Sequence, residues 1–117
     1  MELTSLDFQQ ARIKQVLFKS RLRSVLYGVR DADEALFSVR DNPLGQWIET
    51  VIKPQYNNAS LIRELERILS DTLQTGRQLV GMHQRGQLEE ARKGLEQIEA
   101  HGTRMEEVLQ KMEQSLR

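Results

Sequence analysis

The chain has 117 residues, in which 17 lysines and arginines balance 17 aspartates and glutamates, with no cysteine, two prolines and one tryptophan. That length suits one domain with a modest core, and the charge balance supplies no field to draw nucleic acid or an anionic membrane surface. The missing cysteine excludes disulfides, thiolate metal ligands and thiol redox sensing.

The N-terminal MELTSLDFQQ has no basic region ahead of an apolar run, and no apolar stretch approaches the roughly 20 residues of a membrane span. A soluble, cytoplasmic, single-domain protein over 1–117 is expected. Leu, Glu, Gln, Arg and Lys dominate and aromatics are scarce, which predicts an all-α fold.

The first helix starts with Thr4 or Ser5 as its cap and stops at Gly28. Its seam, Phe8, Ala11, Gln15, Phe18, Leu22 and Val25, follows steps of three and four, and Ile13 and Leu17 are expected to widen the buried face. Gln15 interrupts that stripe, and an amide at the edge of the stripe, in water, is the plainest account of it. A short second helix is predicted from Asp31 to about Val39, opened by the capping pattern DADE. Asn42 and Pro43 then read as cap and first residue of another short helix that ends before Pro54, with Leu44, Trp47, Ile48 and Val51 on one face. The next long helix, capped by Asn58 or Ser60, carries Ile62, Leu65, Leu69, Leu73 or Thr72, Gly76, Val80 and His83. The last runs from Gly86 to the C-terminus with Leu88, Ala91, Leu95, Ile98, Gly102, Met105, Leu109, Met112 and Leu116 in three-four alternation, the pattern of a heptad helix. These elements predict a four-helix bundle with a short helical excursion after the first helix.

Two boxes in this order carry a resemblance. QVLFKSRL, from Gln15 to Leu22, and NPLGQW, from Asn42 to Trp47, followed by LERILSDTL and RGQLEEA, resemble the chemoreceptor zinc-binding domain over roughly residues 8–110. The resemblance implies a bacterial sensory module of chemotaxis transducers and diguanylate cyclases, in which zinc is held by a histidine of the first helix, a cysteine ahead of the LGxW box and a histidine pair on the third helix. Its scaffold positions here are Phe18, Lys19, Arg21, Leu22, Leu44, Gly45 and Trp47.

All four ligand positions depart from that pattern, being Gln15, Asn42, Leu69 and Leu73. Structural zinc needs about four nitrogen, sulfur or carboxylate donors, and two amides with two hydrocarbons do not supply them. No zinc and no other cofactor is therefore expected. The leucines are expected to fill the vacated volume, each contributing roughly 1.5–3 kcal/mol when buried. Gln15 and Asn42 are expected to hydrogen-bond each other or backbone, and Trp47 to pack the excursion against the bundle.

Other chemistry is thin. His83 and His101 are the only histidines, on different predicted helices, and solvated or edge positions account for both. HQRG at His83 lacks the lysine that histidine phosphotransfer helices place before the glycine. Arg12 to Arg30 holds six basic residues and no acid, a pattern better explained by a solvated helix face than by nucleic-acid binding, since aromatic interleaving is missing. The expectation is thus a non-enzymatic sensory or regulatory module, fused to or binding a signalling partner. The alternatives are a stand-alone scaffold that pairs through its C-terminal helix and, behind it, a phosphotransfer-like protein. A homodimer is expected through a seam of Leu88, Leu95, Ile98, Met105, Leu109 and Met112 left half exposed.

Overall fold

The computed structural model describes residues 2–116. These residues form helices and no strands: α1 (Ser5–Leu26), α2 (Glu34–Phe37), α3 (Pro43–Trp47), a π-helical turn (Ile48–Ile52), α4 (Lys53–Gln55), α5 (Ala59–Gln84), α6 (Leu88–Lys93) and α7 (Leu95–Gln114). The long helices α1, α5 and α7 pack on one another, and the excursion α2–α4 lies against α1 and α5, giving a body 48 Å long and about 20 Å thick.

Local chemistry explains most element ends. At the start of α1 the carboxylate of Asp7 accepts the Thr4 backbone N–H at 2.8 Å, satisfying a donor that the first turn leaves without a partner. Gly28 (φ +75°) and Gly86 (φ +85°) take the left-handed conformation just beyond α1 and α5, where glycine carries no Cβ penalty. Asn58 caps α5 by accepting the Leu61 N–H at 3.1 Å.

Four expectations need correction. The second helix is only four residues long, capped by Asp33 rather than Asp31 through the Ala35 N–H at 3.0 Å. The third does not stop before Pro54. Proline lacks the N–H that would close the α-helical ladder and crowds the carbonyl four residues back. The chain instead widens into a π turn, with the Lys53 N–H on the Ile48 carbonyl, and continues to Gln55. The last helix is interrupted at Gly94, where a Cβ would run into the Leu79 side chain of α5. Ile13 and Leu17 do not widen the buried face of α1, being 58% and 47% exposed.

One contiguous core runs from Phe8 and Ala11 through Trp47, Ile52, Leu65, Ile68, Leu69 and Leu73 to Met112. It takes in most of the C-terminal stripe: Ile98, Met105, Leu109 and Met112 are buried against the chain's own helices, Leu95 is half-buried and Leu88 is exposed. The half-open seam that motivated pairing through the last helix is thus closed within one chain, because α5 packs along α7. No described helix is long and apolar enough to cross a membrane.

Candidate functional site

Each sequence box places one aromatic at the junction where the excursion crosses α1 and α5. Trp47, buried on α3, stands edge-on to Phe8 of α1 with ring centroids 5.9 Å apart and an interplanar angle of 71°. Phe18 of α1 makes a second edge-on contact, with Phe37 of α2, at 6.4 Å and 89°. Phe37 lies over Gly76 of α5, where a Cβ would come within 2.9 Å of its ring. Arg77, next along α5, pairs with Glu34 and sits over the Phe37 ring at 5.8 Å. The aromatic of each box therefore contacts the other side of the α1–excursion junction, and such pairs add about 0.5–1.5 kcal/mol beyond the area they bury.

The remaining box residues have distinct places. Leu22 and Leu44 are buried, Arg21 is exposed, and Lys19 donates from Nζ to both carboxylate oxygens of Glu99 on α7 at 3.2 Å. Gly45 is fixed by sterics, since a Cβ there would collide with the carbonyl oxygen of Val39. The indole Nε1–H of Trp47 is buried and has no partner among the described residues, which costs about 1–3 kcal/mol relative to a paired group.

Asn42 is 1% exposed, and its amide is spent entirely on backbone. Nδ2 donates to the Leu36 carbonyl at 2.9 Å, and Oδ1 accepts the N–H groups of Leu44 at 2.9 Å and Gly45 at 3.4 Å. One side chain thus caps α3 and fastens it to the end of α2. Leu69 and Leu73, one turn apart on α5, are buried, and a Leu69 methyl lies 3.6 Å from the Cβ position of Gly45.

Gln15 is elsewhere. Its side-chain nitrogen lies 2.7 Å from the Cβ position of Gly102 on α7, in the groove between α1 and α7 rather than beside Asn42. Of the two expected arrangements Asn42 takes the backbone one, bonded to Leu36, Leu44 and Gly45, and no Gln15–Asn42 bond forms because Gln15 points to a different helix.

The α1–α7 groove, about 510 Å³ in volume and open to solvent, is lined by Gln15, Lys19, Glu99, Gly102 and Glu106 among others. Arg12 closes it at one end. Its Nε donates to both Glu106 oxygens at 2.9 and 3.0 Å and its Nη2 to Glu113 at 3.0 Å. The Glu106 bond, reinforced by Glu113 and opposed by burial, raises the guanidinium above its ordinary pKa. Two of the six cations between Arg12 and Arg30 therefore find their acids inside the chain. Arg23 stacks on Tyr27 at 5.6 Å, and Arg92 of α6 stacks on the same ring at 4.4 Å. A smaller cleft of about 110 Å³ beyond the end of α1 is lined by Arg21, Arg30, Asp31, Asp33 and Asp41.

The histidines stay apart. His83 is half-buried near the end of α5, while His101 of α7 shares a hydrogen bond of 3.1 Å between Nε2 and the Thr75 hydroxyl of α5. The sequence pattern does not mark that pair, because Thr75 lies beside the apolar stripe rather than on it. Among the described residues no group of three or more His, Cys, Asp and Glu side chains is placed to hold a metal ion. No family model, no curated protein and no solved structure matches this chain.

Proposed function

We propose that this chain is a non-enzymatic regulatory module, a relative of the chemoreceptor zinc-binding domain whose metal site has become packing, and that it acts in the cytoplasm through contacts with signalling proteins. The observation that carries the reading is the environment of Asn42, Leu69 and Leu73: a buried, backbone-bonded amide and two buried leucines stand where the family pattern places a cysteine and two histidines. The junction built by Trp47 with Phe8 and Phe18 with Phe37 supports it, since it gives both sequence boxes a structural purpose independent of metal. On this reading the excursion α2–α4 takes the place of a long fourth helix in a bundle derived from four. Signals then pass as packing or contact changes along α1, α5 and α7.

The test is a module exchange. Put in place of the zinc-binding input module of a diguanylate cyclase whose activity follows zinc, this chain is expected to leave the cyclase folded and indifferent to added zinc and to chelator. Cyclase activity that still tracks zinc would overturn the proposal. The reading as a stand-alone interaction protein is favoured by one observation, the uncovered apolar face of α1 formed around Ile13 and Leu17.

A further inference from the structure

We infer that this uncovered face of α1 is the docking surface for a second copy of the chain, the two α1 helices lying antiparallel about a two-fold axis near Gln15. The inference rests on reading the chain as a module that works by contact, and it names the contact.

The face is a second seam. Positions 6, 10, 13, 17, 20 and 24 follow steps of four and three along α1 and carry Leu, Gln, Ile, Leu, Ser and Ser, with no charge among them. Leu6 is 72% exposed, Ile13 58%, Leu17 47%, and the adjacent Val16 59%. A helix that already buries Phe8, Phe18 and Leu22 on its inner side gains nothing within one chain from an apolar outer stripe. A neighbouring helix would remove that stripe from water.

A copy of the same helix fits it. Residues 6 and 24, and residues 13 and 17, straddle residue 15 equally. Antiparallel pairing therefore sets Ile13 against Leu17 of the second copy and Leu6 against the small Ser24, with Val16 meeting its own copy at the axis. Charge supports that direction. Asp7, Lys14 and Arg21 share one flank at seven-residue spacing, and in an antiparallel pair Asp7 meets Arg21 of the other copy at both ends. A parallel pair would instead set Lys14 and Arg21 opposite Gln9 and Val16, with no acid to meet either cation. The antiparallel pair creates one like-charge contact, Lys14 with its own copy, whose flexible stems can splay into solvent. A single helix pair buries less than the roughly 1,200 Å² of standard stable complexes, so the dimer is a reversible one.

The test is sedimentation equilibrium of the full chain from about 1 to about 200 µM, a range that brackets micromolar dissociation. The native chain is expected to pass from monomer to dimer, and Ile13→Glu/Leu17→Glu to stay monomeric with its helical content and thermal melt intact. Because the chain has no cysteine, Val16→Cys is expected to give a disulfide-linked dimer on mild oxidation, whereas Leu6→Cys, far from its copy, does not. A native chain monomeric throughout would overturn the inference, as would a dimer that survives the double substitution. Cross-linking through Leu6→Cys in preference to Val16→Cys would overturn the antiparallel arrangement. A monomeric chain that still makes the exchanged cyclase indifferent to zinc would remove this inference alone and leave the proposed function standing.

Discussion

The carbonyl oxygen of Val39 occupies the space where a Cβ on Gly45 would stand. It is backbone, held by the turn between α2 and α3, and cannot rotate aside as a side chain could. Gly45→Ala is therefore expected to destabilise the chain by about 1–3 kcal/mol, the usual range for overpacking. Gly102 is the contrasting case, because what an added methyl meets there is the free end of Gln15. Once that amide swings away, Gly102→Ala should gain helix stability of about 0.5–1 kcal/mol. Chemical denaturation of both variants checks the pair, and opposite signs are required.

The unpartnered indole N–H of Trp47 makes a separable prediction. Trp47→Phe removes that donor while keeping an aromatic against Phe8, so the lost volume and the relieved polar group offset each other. Its stability is expected within about 1 kcal/mol of the native chain, against about 3–5 kcal/mol lost by Trp47→Ala. Urea unfolding that ranks the two variants equally would contradict the packing described at the junction.

Asn42 joins α2 to α3 with a single side chain. Asn42→Ala removes the cap and leaves the Leu36 carbonyl without its donor, for an expected loss of about 2 kcal/mol. Amide exchange should show the loss as faster exchange at Leu44 and Gly45, whose N–H groups the Asn42 side chain accepts.

Much of this was legible beforehand because helices write their inner face at a fixed period. Of the stripe Ile62, Leu65, Leu69, Leu73 or Thr72, Gly76, Val80 and His83 on α5, the apolar members and Gly76 are buried, while Thr72 and His83 at its edge are half-buried. Asn42 followed by Pro43 announced a cap and a first turn. What was not legible depended on a neighbour. Periodicity cannot distinguish a widened inner face from a second, outer one, and Ile13 and Leu17 belong to the outer one. The need for glycine at the Gly94 break is set by Leu79 of another helix, whose side chain fills the space of a Cβ, and the passage beyond Pro54 runs through a π turn that no spacing marks. At the site, the chemistry of Asn42 was readable because its partners are local. The direction of Gln15 was not, because it is set by Gly102, 87 positions further along the chain.

Arg12 ties α1 to α7 through Glu106 and Glu113. With the guanidinium largely shielded and bonded to both Glu106 oxygens, Arg12→Ala is expected to cost about 1 kcal/mol, and the coupling between Arg12→Ala and Glu106→Gln in a double-mutant cycle to be favourable and smaller at high salt. A cycle that shows no coupling at low salt would remove this clasp from the account.

The central claim is that Asn42, Leu69 and Leu73 hold the fold by backbone hydrogen bonds and apolar packing, without a metal ion. The measurement that tests it most directly is the zinc content of the purified, untagged protein by elemental mass spectrometry, with thermal melting in the presence and absence of a strong chelator. The account predicts zinc far below one equivalent and superimposable melts. One equivalent of zinc with a melt lowered by chelator would contradict it and direct attention to His83, His101 and the carboxylates as ligands.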